Sequence, residues 1–293
     1  MTGSVSSGAR TTRASAPVAA DRTIRRAAVL GSPIAHTLSP ALHEAGYAAA
    51  GLSGWSYVAI EVAEADLVGF VGRLDASWRG LSLTMPLKEV AFTVADDVSE
   101  VARRAGAVNT LVRRSDGGWD ADNTDVHGIV AALRDVDHGG RGRVIGAGAT
   151  ARSAVLALGE LGVRRLDIVA RRDSAAASLA TFARKQGLRA AAVPIADWAL
   201  APPPLIVSTV PVGAGPELAA ALAGAPADLG GVTLLDVVYA PWPSLLAGAV
   251  QAAGGAAVSG IEMLIHQAAR QFELFTGSPA DVAAMRAAVS EPQ

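Results

Sequence analysis

Three polar side chains, Lys88, Asn109 and Asp125, follow three short apolar segments in the first half of the sequence. A lysine near a carboxylate can exchange the proton that accompanies a hydride, if burial and neighbours bring the pKa of such a lysine toward working pH. A carboxylate opposes that change, so Asp125 could instead orient groups and stabilise charge, and the sequence leaves this balance open. Taken singly, Lys88 is more often a solvated lysine at a helix start, and Asp125 an N-cap.

A glycine-rich turn, Gly146-Ala147-Gly148-Ala149-Thr150-Ala151, follows a strand-like segment and precedes a helical pattern. In that context the glycines let backbone approach a dinucleotide pyrophosphate, and the helix N-terminus supplies N–H donors. The pattern also fits an ordinary strand-to-helix turn. Together with the lysine and the aspartate, it indicates an oxidoreductase.

The residues after the next predicted strand, Ala170, Arg171 and Arg172, indicate which dinucleotide binds. An NAD enzyme usually places an acidic residue there to bind the ribose 2′-hydroxyl. Guanidinium groups would instead pair with a 2′-phosphate, which predicts NADP. The alternatives are a solvated strand end and an inward-turned Asp173 that binds the ribose.

Composition argues against several other classes of function. The chain has 293 residues, a formal net charge of -2 and scattered arginines, so no nucleic-acid partner is predicted. It has no cysteine, and its histidines lack metal-ligand spacing, so no metal is predicted. No apolar run reaches the roughly 18 residues of a membrane span. We expect a soluble, cytoplasmic protein with a small-molecule substrate and no membrane partner.

The first 22 residues are rich in Ser, Thr, Ala and Arg and lack the apolar core of a signal peptide. We predict a disordered leader over residues 1–22. A transit peptide is the alternative, because the segment is also poor in acidic residues.

Alternating apolar runs and helical patterns must position these groups. The first alternation includes one continuous helix over about 87–104, and the second, after a turn at 138–140, predicts a doubly wound parallel sheet. The last helical patterns, 261–276 and 279–289, have no following strand and could return to the first domain. We therefore predict an α/β protein with an N-terminal α/β substrate domain, 23–124 completed by 261–293, and a Rossmann dinucleotide-binding domain, 125–260.

Five segments resemble the shikimate dehydrogenase family in their order and spacing. They are residues 31–40, 82–89, 106–110, 122–125 and 260–267, and the resemblance extends from residue 27 to about residue 290. It implies NADPH-dependent, reversible reduction of 3-dehydroshikimate to shikimate, in the shikimate pathway of aromatic amino acid biosynthesis. It also implies a substrate domain joined to a dinucleotide domain.

The resemblance further implies individual roles. Thr37 and Ser39 would hold the substrate carboxylate, with Thr84 and Tyr239 nearby. Asn109, Asp125 and Gln267 would hold ring hydroxyls, and Lys88 would exchange the proton at the C3 oxygen beside Asp125. The cofactor contacts would be Gly146, Ala147, Gly148, Ala149, Thr150, Ala170, Arg171 and Arg172, with Glu100, Val237 and Gly260 near the nicotinamide end.

Some positions depart from the family pattern, and they leave the substrate less certain than the reaction. Thr37 stands where most relatives have serine, and Ser82 where they have asparagine. Ala170 and Arg172 replace an asparagine and a threonine. A quinate/shikimate or aminoshikimate dehydrogenase is therefore an alternative, and a non-catalytic shikimate-binding sensor is one from another class. A folate-linked dehydrogenase fits the hydroxyl-rich segments less well, and a homodimer stays open.

Overall fold

The computed structural model describes residues 24–224 and 228–290, together with Met1. The predicted leader over residues 1–22 therefore lies, apart from Met1, outside the described residues. The described chain forms two α/β units, each built on a six-stranded sheet, which confirms the predicted fold class. None of the helices in these ranges combines the length and the hydrophobicity that a membrane span requires.

The first unit contains six strands and five helices in the order of the chain. They are β1 (Arg25–Gly31), α1 (Ser39–Ala49), β2 (Trp55–Glu61), α2 (Leu67–Val71), β3 (Trp78–Leu83), α3 (Leu87–Val90), β4 (Asp97–Val98), α4 (Glu100–Ala105), β5 (Thr110–Arg113), β6 (Trp119–Asp122) and α5 (Thr124–Leu133). The sheet order is β2-β1-β3-β5-β6-β4, and β5 is antiparallel to both of its neighbours.

The prediction of one helix over 87–104 is wrong. The segment contains α3, a 3-10 turn over Ala91–Val94, strand β4 and helix α4. Two interactions explain the break. Val98 pairs with Ala121 in the sheet, and the Ser99 hydroxyl accepts a hydrogen bond from the amide of Ala102 to start α4. Cross-strand pairing and a cap outweigh the helix propensity of the alanines around them.

The second unit is a doubly wound parallel sheet, as predicted. Its elements are β7 (Arg141–Ile145), α6 (Ala149–Glu160), β8 (Arg165–Val169), α7 (Asp173–Lys185), β9 (Arg189–Val193), β10 (Leu205–Ser208), α8 (Gly215–Ala223), β11 (Thr233–Asp236), α9 (Leu245–Ala252) and β12 (Ala256–Ser259). The sheet order is β12-β11-β10-β7-β8-β9 with parallel pairing throughout. The strand order reverses between β7 and β10, where α/β sheets bind ligands. Helix α9 and strand β12 were not predicted from the sequence.

Two final helices, α10 (Gly260–Thr276) and α11 (Val282–Ser290), return to the first unit. Phe272 and Met285 pack with Leu42 and Tyr47 of α1 in the core on one face of the first sheet. Helix α10 also lies along α5, whose apolar face packs into the core of the second unit. Gly128 permits this approach, because a Cβ there would collide with the backbone of α10. The domain boundaries themselves stay a prediction.

Candidate active site

A cleft of about 360 Å³ is lined by residues of both units. It includes all eight residues that the resemblance assigns to the substrate. These are Thr37, Ser39, Thr84, Lys88, Asn109, Asp125, Tyr239 and Gln267. They come from separate helices and loops, so only the tertiary fold brings them together. Their individual roles stay predictions.

Lys88 and Asp125 form an ion pair inside this cleft. Lys88 lies in α3 and Asp125 in the first turn of α5, and the Lys88 Nζ donates to the Asp125 Oδ2 at 2.5 Å. Their side chains are only 14% and 5% exposed. The N-cap of α5 is Asn123, whose side-chain oxygen accepts from the Asp125 amide at 3.1 Å. The alternatives of a solvated Lys88 and a capping Asp125 are therefore wrong.

Two buried amides extend the polar floor of the cleft. The Asn109 Nδ2 donates to the Asp125 Oδ1 at 2.7 Å, so each carboxylate oxygen of Asp125 has its own donor. Gln267 on α10 is 7% exposed, and its Oε1 lies 3.4 Å from the Asn109 Nδ2. Gln267 therefore lines the cleft and is not an exposed residue of the helix surface. An ammonium, a carboxylate and two amides converge here, as binding of a polyhydroxylated molecule requires.

Hydroxyl groups gather at the start of α1. The Thr37 hydroxyl donates to the Ser39 Oγ at 3.2 Å, and Ser39 is the first residue of the helix. Burial raises the pKa of Tyr239, whose hydroxyl faces the backbone N–H of Leu38. The phenol is thus a neutral donor that reaches from the second unit to the first. Hydroxyl donors beside a helix N-terminus are suited to a carboxylate.

The glycine turn lies at the reversal point of the second sheet. Gly146 has a φ of +114°, which favours glycine, and a Cβ there would collide with the residue that follows β10. A Cβ on Gly148 would meet nothing within 4 Å, so the N-terminus of α6 faces open space. Thr150 lines the cleft, whereas Ala147 and Ala149 pack against the core. Open space over unpaired helix N–H groups fits a pyrophosphate.

The end of β8 carries the two arginines that predicted NADP. The Gly146 amide donates to the carbonyl of Val169 at 2.8 Å, so this strand end adjoins the glycine turn. Ala170 is buried, and Arg171 and Arg172 are exposed, with no ion pair to another described residue. Two available guanidinium groups beside the turn fit a ribose 2′-phosphate.

The three residues assigned to the nicotinamide end do not share one location. Val237 and Gly260 both line the cleft, and the Gly260 amide donates to the carbonyl of Val238 at 3.4 Å. Glu100 is not among the described residues that line the cleft. Its side chain is 70% exposed and forms an ion pair with Arg103 on the same helix. The structure therefore brings Val237 and Gly260 to the other site residues, but not Glu100.

Two buried polar residues of the cleft lining were not among the predicted contacts. Ser82, known only as a departure from the family pattern, lies at the end of β3, and Gln271 lies on α10. Gln271 follows Gln267 by four residues, and that spacing places both amides on one helix face. The pair was therefore readable from the sequence. Ser82 contacts residues remote in the chain, and no local pattern marks it.

Two family models match the chain. The model described as the shikimate dehydrogenase substrate binding domain matches residues 29–111. The model described as the shikimate 5'-dehydrogenase C-terminal domain matches residues 260–289. The first match contains Lys88 and Asn109, and the second contains Gln267.

Similar proteins extend this match over most of the chain. Shikimate dehydrogenase (NADP(+)) of Methylobacterium radiotolerans is 40% identical over 267 residues, which cover 86% of this chain and 91% of that protein. The crystal structure of a shikimate 5-dehydrogenase from Mycobacterium fortuitum is 46% identical, with a TM-score of 0.79 over 90% of this chain and 97% of that one. The Thermus thermophilus enzyme in complex with NADP(H) and shikimate is 34% identical, with a TM-score of 0.75 over 90% and 98%.

Proposed function

The chain belongs to the shikimate dehydrogenase family, and we propose that Lys88 and Asp125 perform the proton transfer of its reaction. The protein is an NADP-dependent oxidoreductase. It reversibly reduces 3-dehydroshikimate to shikimate, a step in the biosynthesis of aromatic amino acids. The observation that carries the proposed roles is the ion pair between the Lys88 Nζ and the Asp125 Oδ2 inside the cleft.

Reduction of the ketone requires a hydride at carbon and a proton at oxygen. NADPH, when bound, supplies the hydride. An ammonium has three N–H donors, and Asp125 takes one of the donors of Lys88. The remaining donors can hold the ketone oxygen and deliver a proton as negative charge develops there. Asp125 accepts hydrogen bonds at both oxygens, so it acts as an anion that orients Lys88 and balances its charge.

Two groups of side chains in the cleft would give the substrate its orientation. Thr37, Ser39, Thr84 and Tyr239 would hold the carboxylate, supported by the hydroxyl cluster at the start of α1. Asn109, Asp125 and Gln267 would hold the ring hydroxyls, supported by their mutual contacts. Two anchored ends leave one part of the ring beside Lys88. Such positioning is a major source of rate enhancement.

The second unit would hold the cofactor. The turn Gly146-Ala147-Gly148-Ala149-Thr150 would receive the pyrophosphate, and Ala170-Arg171-Arg172 the adenosine 2′-phosphate. Support comes from the open N-terminus of α6 and from the exposed guanidinium groups. Val237 and Gly260 are assigned to the nicotinamide end because they line the cleft. For Glu100 the support is the family resemblance alone.

The reaction can be tested by absorbance at the nicotinamide band. Purified protein with shikimate should reduce NADP, and should do so more efficiently than it reduces NAD. Absence of turnover with both dinucleotides, in protein shown to be folded by circular dichroism, would contradict the activity. Bound shikimate without turnover would instead favour a non-catalytic sensor.

The role of Lys88 has a matched control, because the chain contains one other lysine, Lys185. Lys88→Ala should lower kcat by at least ~10²-fold, the usual scale of general acid–base catalysis, and leave much of the substrate binding. Lys185 is exposed in the last turn of α7, so Lys185→Ala should retain the wild-type rate. A wild-type rate in Lys88→Ala would remove Lys88 from the mechanism.

A homodimer and a cytoplasmic location also stay predictions. Light scattering on the purified protein tests the first, and fractionation of cells that express the full chain tests the second. Comparison of kcat/KM for shikimate, quinate and aminoshikimate tests the substrate preference that Thr37 leaves open.

A further inference from the structure

A continuous chain of buried side chains runs behind the cleft and ends at Asp125. Its links are Tyr57 Oη to Ser82 Oγ (2.6 Å), Ser82 Oγ to Gln271 Oε1 (2.8 Å), Gln271 Nε2 to Thr110 Oγ1 (2.9 Å), Thr110 Oγ1 to Asn109 Oδ1 (2.7 Å) and Asn109 Nδ2 to Asp125 Oδ1 (2.7 Å). All six residues are at most 4% exposed. Four of the members, Tyr57, Ser82, Gln271 and Thr110, have no assigned role.

Two backbone groups determine which way every hydrogen bond points. The amide N–H of Thr124 donates to the Asn109 Oδ1 at 2.7 Å, so that atom must be the amide oxygen. The Thr110 hydroxyl must then donate to it, and the Asn109 NH₂ must face Asp125. The Gln271 Nε2 lies 3.0 Å from the backbone carbonyl of Asn109, so that atom must be the amide nitrogen.

The hydrogen bonds at the Tyr57 end of this series have a fixed direction as well. Since the Gln271 Oε1 can only accept, the Ser82 hydroxyl donates to it and receives its own hydrogen bond from Tyr57. Burial raises the pKa of Tyr57, so its phenol keeps the proton that it donates. Every donor in the chain therefore points toward the Asp125 carboxylate.

We infer that Tyr57, Ser82, Gln271 and Thr110 are positioning residues that aim the Asn109 amide at Asp125 and thereby hold its carboxylate against Lys88. The inference rests on the proposed roles of Lys88 and Asp125. Hydrogen bonds that point in one direction polarise one another, and they also prevent rotation of the Asn109 amide. Lys88 is the charged group in contact with Asp125, and His43, which stacks on Tyr57 with 4.0 Å between ring centroids, faces the far end.

The central link gives the sharpest test. Thr110→Val keeps the shape of the side chain and removes the hydroxyl that joins Gln271 to Asn109. We expect kcat to fall about tenfold while KM for shikimate changes by less than about threefold. The substitution should disturb the alignment of Asp125 with Lys88 but leave the side chains that contact the substrate in place. Thr110→Ser restores the hydroxyl and should restore kcat. Thermal melting of each variant checks that it is folded.

The first link has a matched control in a second tyrosine. Tyr57 and Tyr47 are both buried in the same aromatic core, but the Tyr47 hydroxyl has no hydrogen-bond partner among the described residues. Tyr57→Phe should lower kcat by about threefold or more, and Tyr47→Phe should leave it unchanged.

The inference is overturned if Thr110→Val keeps the wild-type kcat, if serine fails to restore it, or if Tyr47→Phe loses as much as Tyr57→Phe. A Lys88→Ala enzyme with the wild-type rate would be a different failure, because it would contradict the proposed function itself.

Discussion

His43 should make the protein sensitive to acid, because it is buried in an aromatic core. Its ring stacks on Tyr57, and neither ring nitrogen makes a hydrogen bond of normal geometry to a described residue. Burial lowers the pKa of His43 from 6.5 to about 3, and this effect is larger than that of the nearby Gln271 side chain, which favours the protonated ring. Between these two pKa values, His43 is protonated in the unfolded chain but neutral in the folded protein. Acid therefore favours unfolding.

The size of the effect follows from the two pKa values. The stability that comes from a neutral His43 is fully present above about pH 6.5 and is lost as the pH falls toward about 3. Each pH unit inside this window costs about 1.4 kcal/mol. Between about pH 7.5 and about pH 5, His43 alone should reduce the free energy of unfolding by about 2 kcal/mol.

The test compares wild type with His43→Phe, which keeps an aromatic ring and removes the titrating group. Urea unfolding followed by tryptophan fluorescence gives the free energy of unfolding at the two pH values. The wild type should lose about 2 kcal/mol more than the variant. His36→Leu, at an exposed histidine, serves as the control and should follow the wild type. Equal losses in wild type and His43→Phe would refute the reasoning.

Three further predictions concern the cofactor and substrate sites. Arg171→Ala combined with Arg172→Ala should lower kcat/KM with NADP by at least ~10-fold and spare the value with NAD, and an unchanged ratio would remove both residues from cofactor selection. Gly146→Ala introduces a Cβ where φ is +114° and should weaken NADPH binding by more than ~10-fold in fluorescence titrations; Gly248→Ala, where a Cβ meets nothing, should not. Thr37→Ser removes a methyl group and should raise kcat/KM for quinate relative to shikimate by roughly threefold or more, because quinate carries an extra hydroxyl beside its carboxylate; a constant ratio would contradict this.

Local patterns in the sequence predicted much of the fold. A short apolar run predicted β7, the glycine turn predicted the start of α6, and the polar residues that begin at Asn123 predicted the start of α5. These strand, turn and cap signals are local in the sequence. The failures were non-local. The break before α4 depends on the pairing of Val98 with Ala121, and β12 is a strand because it completes a parallel sheet beside β11.

The candidate site divides in the same way. Lys88, Asp125 and Gln267 were found because they lie in short segments that resemble a family. The hydrogen bond between Tyr57 and Ser82, which begins the buried series that ends at Asp125, was not predicted. Tyr57 and Ser82 lie on separate strands, 25 positions apart, and their contact exists only once the sheet has formed. A single sequence without tertiary contacts gives no reason to join them.

The side-by-side packing of α5 and α10 has a consequence for opening and shutting of the cleft. Both helices connect the two units, so a rotation of one unit against the other should use this pair as its hinge. Asp125 at the start of α5 and Gln267 on α10 lie close to that axis and should keep their separation during the swing. Thr37 in the first unit and the glycine turn in the second belong to neither helix and should move more. Lys88 and Asp125 would then be in contact before substrate or cofactor binds, and closure would move only the surrounding parts of the cleft.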